Sequence, residues 1–101
     1  SNCSSEELRR VDLAFNVAGS EPVQKVRSTI MGVVVDTDKA MADPAPQVEP
    51  LEGIPGGLAY TVRVWCKSSD YWDVYFELMR EIPTALGAAE ISGPSTPVKV
   101  G

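Results

Sequence analysis

Between Gly56 and Lys67 the chain alternates without a break: Leu58, Tyr60, Val62, Val64 and Cys66 fall on one side, and Ala59, Thr61, Arg63, Trp65 and Lys67 on the other. Successive side chains of a strand point to opposite faces, so the spacing predicts a strand with one apolar and one mixed face. After a polar break at Ser68-Ser69-Asp70 the period changes. Trp72, Val74, Tyr75, Phe76, Leu78, Met79, Ile82, Ala85, Leu86 and Ala89 recur at intervals of three and four, which predicts a helix whose broad apolar stripe packs on that strand. Ser69 and Asp70 are its expected cap, and Asp73 places a negative charge in the first turn, where the helix dipole favours it.

The first half repeats the scheme. Arg9, Val11, Leu13, Phe15 and Val17 alternate with Arg10, Asp12, Ala14, Asn16 and Ala18, which predicts a half-buried first strand. Gly19-Ser20 ends it; Ser20 is the expected cap of a helix with Pro22 in its first turn, where a missing N–H costs nothing. Val23, Val26, Ile30, Val33 and Val34 mark that helix's apolar face, and it ends near Val35 or Asp36. The segment Asp36 to Pro46 predicts an extra turn around Lys39 to Ala42 and then a proline-stiffened extended stretch. Gln47 to Ile54 reads as a weaker strand. Pro50 lies inside it and cannot donate to a ladder, which implies an edge position or a bulge. Gly53 to Gly57 (GIPGG) turns this strand into the strong one as a hairpin.

The order is therefore β-α-β-β-α followed by an extended, proline-broken tail ending in Val98-Lys99-Val100. One mixed or antiparallel sheet with both helices on one face gives an α+β two-layer sandwich, ferredoxin-like in outline. Residues 1–8 read as a connector, 9–92 as the folded unit and 93–101 as the tail. Two helices cover one side only, which leaves Asp12, Asn16, Arg63, Trp65 and Lys67 on the open face. A tryptophan on such a face is a candidate contact with another protein surface, and Arg63, two residues away, is placed to lie near its indole.

Composition narrows the function by exclusion. With 101 residues the chain holds one hydrophobic core, and its net charge of -5 with no Lys/Arg cluster argues against a nucleic-acid partner. No apolar run approaches the roughly 18 to 20 residues of a membrane-spanning helix, so the chain reads as soluble. Histidine is absent, which removes the commonest general base and metal ligand together. Cys3 and Cys66 make no disulfide framework, and Cys66 reads as an inert buried thiol. Asp36, Asp38 and Asp43 lack the twelve-residue loop and closing Glu of calcium sites and read as solvated acids. The glycines at 53, 56 and 57 precede a strand, so they read as a hairpin turn and not a phosphate cradle. No catalytic residue, cofactor or metal is expected.

The segments Tyr60-Thr61-Val62-Arg63-Val64-Trp65 and Ser68-x-Asp70-Tyr71-Trp72-x-Val74, with a helix running to Ala88-Ala89, resemble the cytoplasmic α/β domain of MscS-type small-conductance mechanosensitive channels. Asn2 to Arg10 resembles the end of that family's middle β domain, Ala42 to Val48 its loop before the second strand, Glu52 a position where Glu is usual, and Ile91-Ser92-Gly93-Pro94 its exit toward the C-terminal tail. The resemblance covers nearly the whole chain. Departures are Glu90, where the family usually has Gly, the stretch Gly93 to Pro97, and Pro83, which is expected to interrupt a helix normally continuous there.

The resemblance implies a fragment of a homo-oligomeric channel, typically heptameric, in the bacterial inner membrane. It opens under tension to release ions and small osmolytes, and this domain forms part of a hollow cytoplasmic cage. Arg63, Trp65, Glu52 and Lys67 are then the candidate contacts with the middle domain or an adjacent subunit. A rival of another class is a free-standing ferredoxin-like regulatory module that dimerises and binds a small molecule.

Overall fold

The computed structural model describes residues 7–94. Its elements are strand β1 (Leu8–Ala18), helix α1 (Val23–Asp36), strand β2 (Gln47–Ile54), strand β3 (Gly57–Lys67), a single 3-10 turn (Ser68–Asp70) and helix α2 (Tyr71–Ala88). The end of the expected extended tail, Val98-Lys99-Val100, the connector up to Glu6 and Cys3 lie outside the described residues.

The three strands form one antiparallel sheet in the order β1-β3-β2. The strongly alternating strand is central because it alone has apolar side chains to pair inwards with both neighbours. Tyr60, Val62, Val64 and Cys66 of β3 are buried with Val11, Leu13 and Val17 of β1 and Val48 of β2. Both helices lie on that side, α2 over β1 and α1 over β2. They close the core with Val26, Ile30 and Val34 of α1 and Val74, Leu78, Ile82 and Leu86 of α2.

β2 is an edge strand, and its register slips between Pro50 and Glu52, so Pro50 implied both of the features found. Leu51 is the extra residue and is 65% exposed. The hairpin turn is Pro55-Gly56, with Gly56 at φ 76° where glycine is preferred. Gly57 is required for a different reason: a Cβ there would lie 2.2 Å from the Val17 carbonyl oxygen.

Four expectations are corrected. Ser20 does not cap α1; the N-cap is Pro22, extended at ψ 134°, and Ser20 lies in the turn that joins the Glu21 amide to the Ala18 carbonyl. Asp70 stands at the N-cap of α2 without a side-chain capping bond, because its carboxylate turns toward Lys39 Nζ, 3.9 Å away. Pro83 does not interrupt α2, which runs through it to Ala88. The proline sits on the exposed side of the helix, away from the core row, and costs the helix one backbone bond, to the Met79 carbonyl. Lastly, Trp72, Phe76 and Met79 are outside the core, 57%, 57% and 41% exposed. The helix meets the sheet along the narrow row Val74, Leu78, Ile82, Leu86; Met79 lies about a quarter-turn round from it, and Trp72 and Phe76 nearly a half-turn from their neighbours in it.

Candidate functional site: the open face of the sheet

Cross-strand partners share a face, so the register fixes what stands beside each outward residue of β3. Ala59 lies between Asn16 and Glu52, Thr61 between Ala14 and Glu49, and Arg63 between Asp12 and Gln47, while Trp65 lies opposite Arg10 and Lys67 opposite Leu8. All four expected contact residues, Arg63, Trp65, Glu52 and Lys67, therefore stand on one face. Glu52 reaches it through the bulge: simple alternation from Val48 would turn it inwards, and the extra residue Leu51 turns it out.

The expected stacking of Arg63 on Trp65 is replaced by another pair. The Arg10 guanidinium lies 6.0 Å from the Trp65 ring centre and forks onto Asp12, Nε to Oδ1 at 2.7 Å and a terminal nitrogen to Oδ2 at 3.0 Å. The hydrogen bond and charge of Asp12 raise the Arg10 pKa further above its usual range. Directly opposed residues of antiparallel strands are closer than residues two apart on one strand, so Arg10 holds the better position. It also takes the carboxylate beside Arg63. Arg63 Nε is left buried with no hydrogen-bond partner among the described residues. Arg63 and Trp65 are both half-buried, so side by side they form a mixed cationic and aromatic patch of the composition found at protein interfaces.

Sequence reasoning missed two features at the margin. The Arg9 guanidinium lies 3.9 Å from the centre of the Tyr71 ring and ties β1 to the start of α2. Lys39 pairs with Asp73 at 2.8 Å and ties the loop after α1 to the same helix, and that contact raises the Lys39 pKa. The Arg9-Arg10 pair at the head of an alternating strand was the available signal, since its two members must face opposite ways.

Among the described residues no group of three or more His, Cys, Asp or Glu could hold a metal, and Asp36, Asp38 and Asp43 do not converge on one. Cys66 is fully buried, and burial first, then the nearby Asp70 charge, pushes its thiol pKa up, away from the reactive thiolate. No helix among the described residues is long and apolar enough to cross a membrane.

Comparison with known proteins places this architecture. The profile of the family described as "Mechanosensitive ion channel MscS, C-terminal" matches residues 11–92. The chain belongs to this family. It is 32% identical over 93 residues to the small-conductance mechanosensitive channel of Edwardsiella ictaluri, covering 92% of this chain and 32% of that protein. An uncharacterised MscS family protein of Synechocystis is 31% identical over 86 residues, covering 85% of this chain and 29% of the relative. The chain thus spans about a third of the length of these curated relatives. Among solved structures it is similar to closed-state Helicobacter pylori MscS, with a TM-score of 0.82 at 25% identity, over 93% of this chain and 38% of that one. The two-layer α+β fold is that of the MscS C-terminal domain.

Proposed function

We propose that this chain is a wall-forming cytoplasmic domain of a tension-gated MscS-type channel in a bacterial inner membrane. Copies of it surround a hollow chamber through which ions and small osmolytes pass. The channel is a homo-oligomer, heptameric by family resemblance, and this domain catalyses no reaction. The family match across residues 11–92 carries the reading. The open face of the sheet supports it, because half-buried Trp65 and Arg63 side by side suit burial against protein better than a catalytic task.

In this reading residues 9–92 are the panel, 1–8 arrive from a middle β domain and 93–101 leave as a tail toward neighbouring copies. Arg63, Trp65, Glu52 and Lys67 contact that middle domain or an adjacent subunit. The test is the full-length protein carrying Trp65→Ala and Arg63→Ala, followed by native mass measurement in detergent and by survival of osmotic downshock. Partial loss of the oligomer and of survival is expected; unchanged assembly and survival would remove these residues from the interface.

A further inference from the structure

The two lateral edges of the domain are unlike each other. At the β1 edge, α2 carries a second apolar row, Trp72, Phe76, Met79 and Pro83, all exposed, with the Trp72 and Phe76 rings stacked 5.6 Å apart. The row lies on the far side of α2 from α1, because Asp73 faces Lys39 and because Glu77 and Glu81 line the hollow against Val33 and Thr37, although Phe76 also borders a shallow hollow with Asp38 and Lys39. It is a convex ridge of apolar side chains that nothing in the domain's core uses.

At the β2 edge the surface is concave. The C-terminal half of α1 and the loop leading into β2 enclose a groove of about 390 Å³ lined by Met31, Val35, Met41, Ala45 and Pro46 among others. Val35 is 74% exposed on its wall. Arg27 fixes α1 over that edge by donating to the Val48 carbonyl at 2.9 Å and pairing with Glu49 at 3.2 Å. The strand order β1-β3-β2 sets ridge and groove at opposite ends of the panel.

The charges beside them are complementary. Exposed Arg9 on the ridge side has no ion-pair partner among the described residues, and neither has Asp36 or Asp43 beside the groove. Asp36 lines the hollow next to the groove with Met31 and Val35, and Asp43 follows Ala42 of its wall.

We infer that the α2 ridge of one copy seats in the α1 groove of the next, a head-to-tail contact between unlike surfaces of identical chains. A heterologous contact of this kind either closes into a ring or runs on as a filament, and tethering to one membrane pore favours closure. The aromatic ridge is the anchor in the pocket, with Arg9 facing Asp36 and Asp43 at the polar rim. The inference rests on the channel reading, and its test separates the two.

Phe76→Cys and Val35→Cys, singly and together, are introduced into the full-length channel in a Cys3→Ser background, and membranes are treated with copper phenanthroline. Both positions are exposed, and Cys66 is buried from the oxidant. The double variant is expected to give a ladder of disulfide-linked multimers, and each single variant only monomer. Dimers from Phe76→Cys alone would show a two-fold contact and overturn the inference. A double variant without a ladder, in a protein that native mass shows to be oligomeric, overturns the ridge-in-groove contact and leaves the channel reading standing. A monomer by native mass sinks both. Phe76→Glu is the independent check, with loss of half or more of the oligomer expected while the fold is kept; a full oligomer counts against the contact.

Discussion

Leu86 and Ile91 are joined across the end of α2: the Ile91 amide donates to the Leu86 carbonyl at 2.9 Å, and both side chains are buried. The Glu90 amide donates to Gly87 at 3.0 Å inside this loop, which makes the Schellman closure of a helix. Glu90 occupies its left-handed position at φ 60°, where a Cβ is strained and glycine is preferred. Glu90→Gly is therefore expected to raise stability by about 1 kcal/mol. A higher urea midpoint at unchanged slope is the expected reading, and a lower one contradicts it.

Gly57→Ala tests the crossing of the hairpin over β1. The new methyl would meet backbone, the Val17 carbonyl oxygen at 2.2 Å, which cannot rotate away. A loss of about 3 kcal/mol is expected, the upper end of overpacking costs. Gly53→Ala, with nothing within 4 Å of its Cβ, is the control and is expected to change little.

The strands and helices were legible because their periods differ and each is long enough to repeat. β3 showed its buried face through Tyr60, Val62, Val64 and Cys66, and the edge position of β2 was written in Pro50. The capping groups and the partner of Trp65 were not legible. A cap depends on which residue first leaves extended geometry, and Pro22 did so in place of Ser20. The partner of Trp65 depends on strand register, which sets Arg10 opposite it, and one strand read alone cannot show that. Trp72, Phe76 and Met79 misled because an apolar stripe wider than the sheet can cover looks in sequence like a wide core. The excess is the ridge.

Tyr60 is 1% exposed and its hydroxyl has no hydrogen-bond partner among the described residues. Removing an unsatisfied buried hydroxyl without changing shape is neutral or favourable, so Tyr60→Phe is expected to change stability by 0 to about +1 kcal/mol at neutral pH. Burial raises the pKa of Tyr60 and of the Cys66 thiol, so both stay protonated in the fold after the unfolded chain has begun to ionise. Their contribution is full below the unfolded values, about 8.5 for the thiol and 10 for the phenol. It is lost as pH rises from there through the folded values. Stability measured from pH 8 to 11 is expected to fall, less steeply in Tyr60→Phe; an identical slope in both proteins would count against this account.

Leu78 and Phe76 are two residues apart on α2 and should behave oppositely. Leu78 is fully buried, and Leu78→Ala is expected to cost about 3 kcal/mol of folding stability. Phe76 is 57% exposed, and Phe76→Ala is expected to cost less than about 1 kcal/mol, although it weakens association between copies. Chemical denaturation together with native mass of the full-length protein separates the two effects. Equal folding losses would place Phe76 in the core after all.

The most direct measurement of the central claim is electrical. Membrane patches from cells that make the full-length protein, and lack other stretch-activated channels, are placed under stepped suction. The account predicts conductance that appears with tension in the wild type and is reduced in patches carrying Trp65→Ala with Arg63→Ala. Well-expressed protein in the membrane with no tension-dependent current at any suction the patch survives would contradict it.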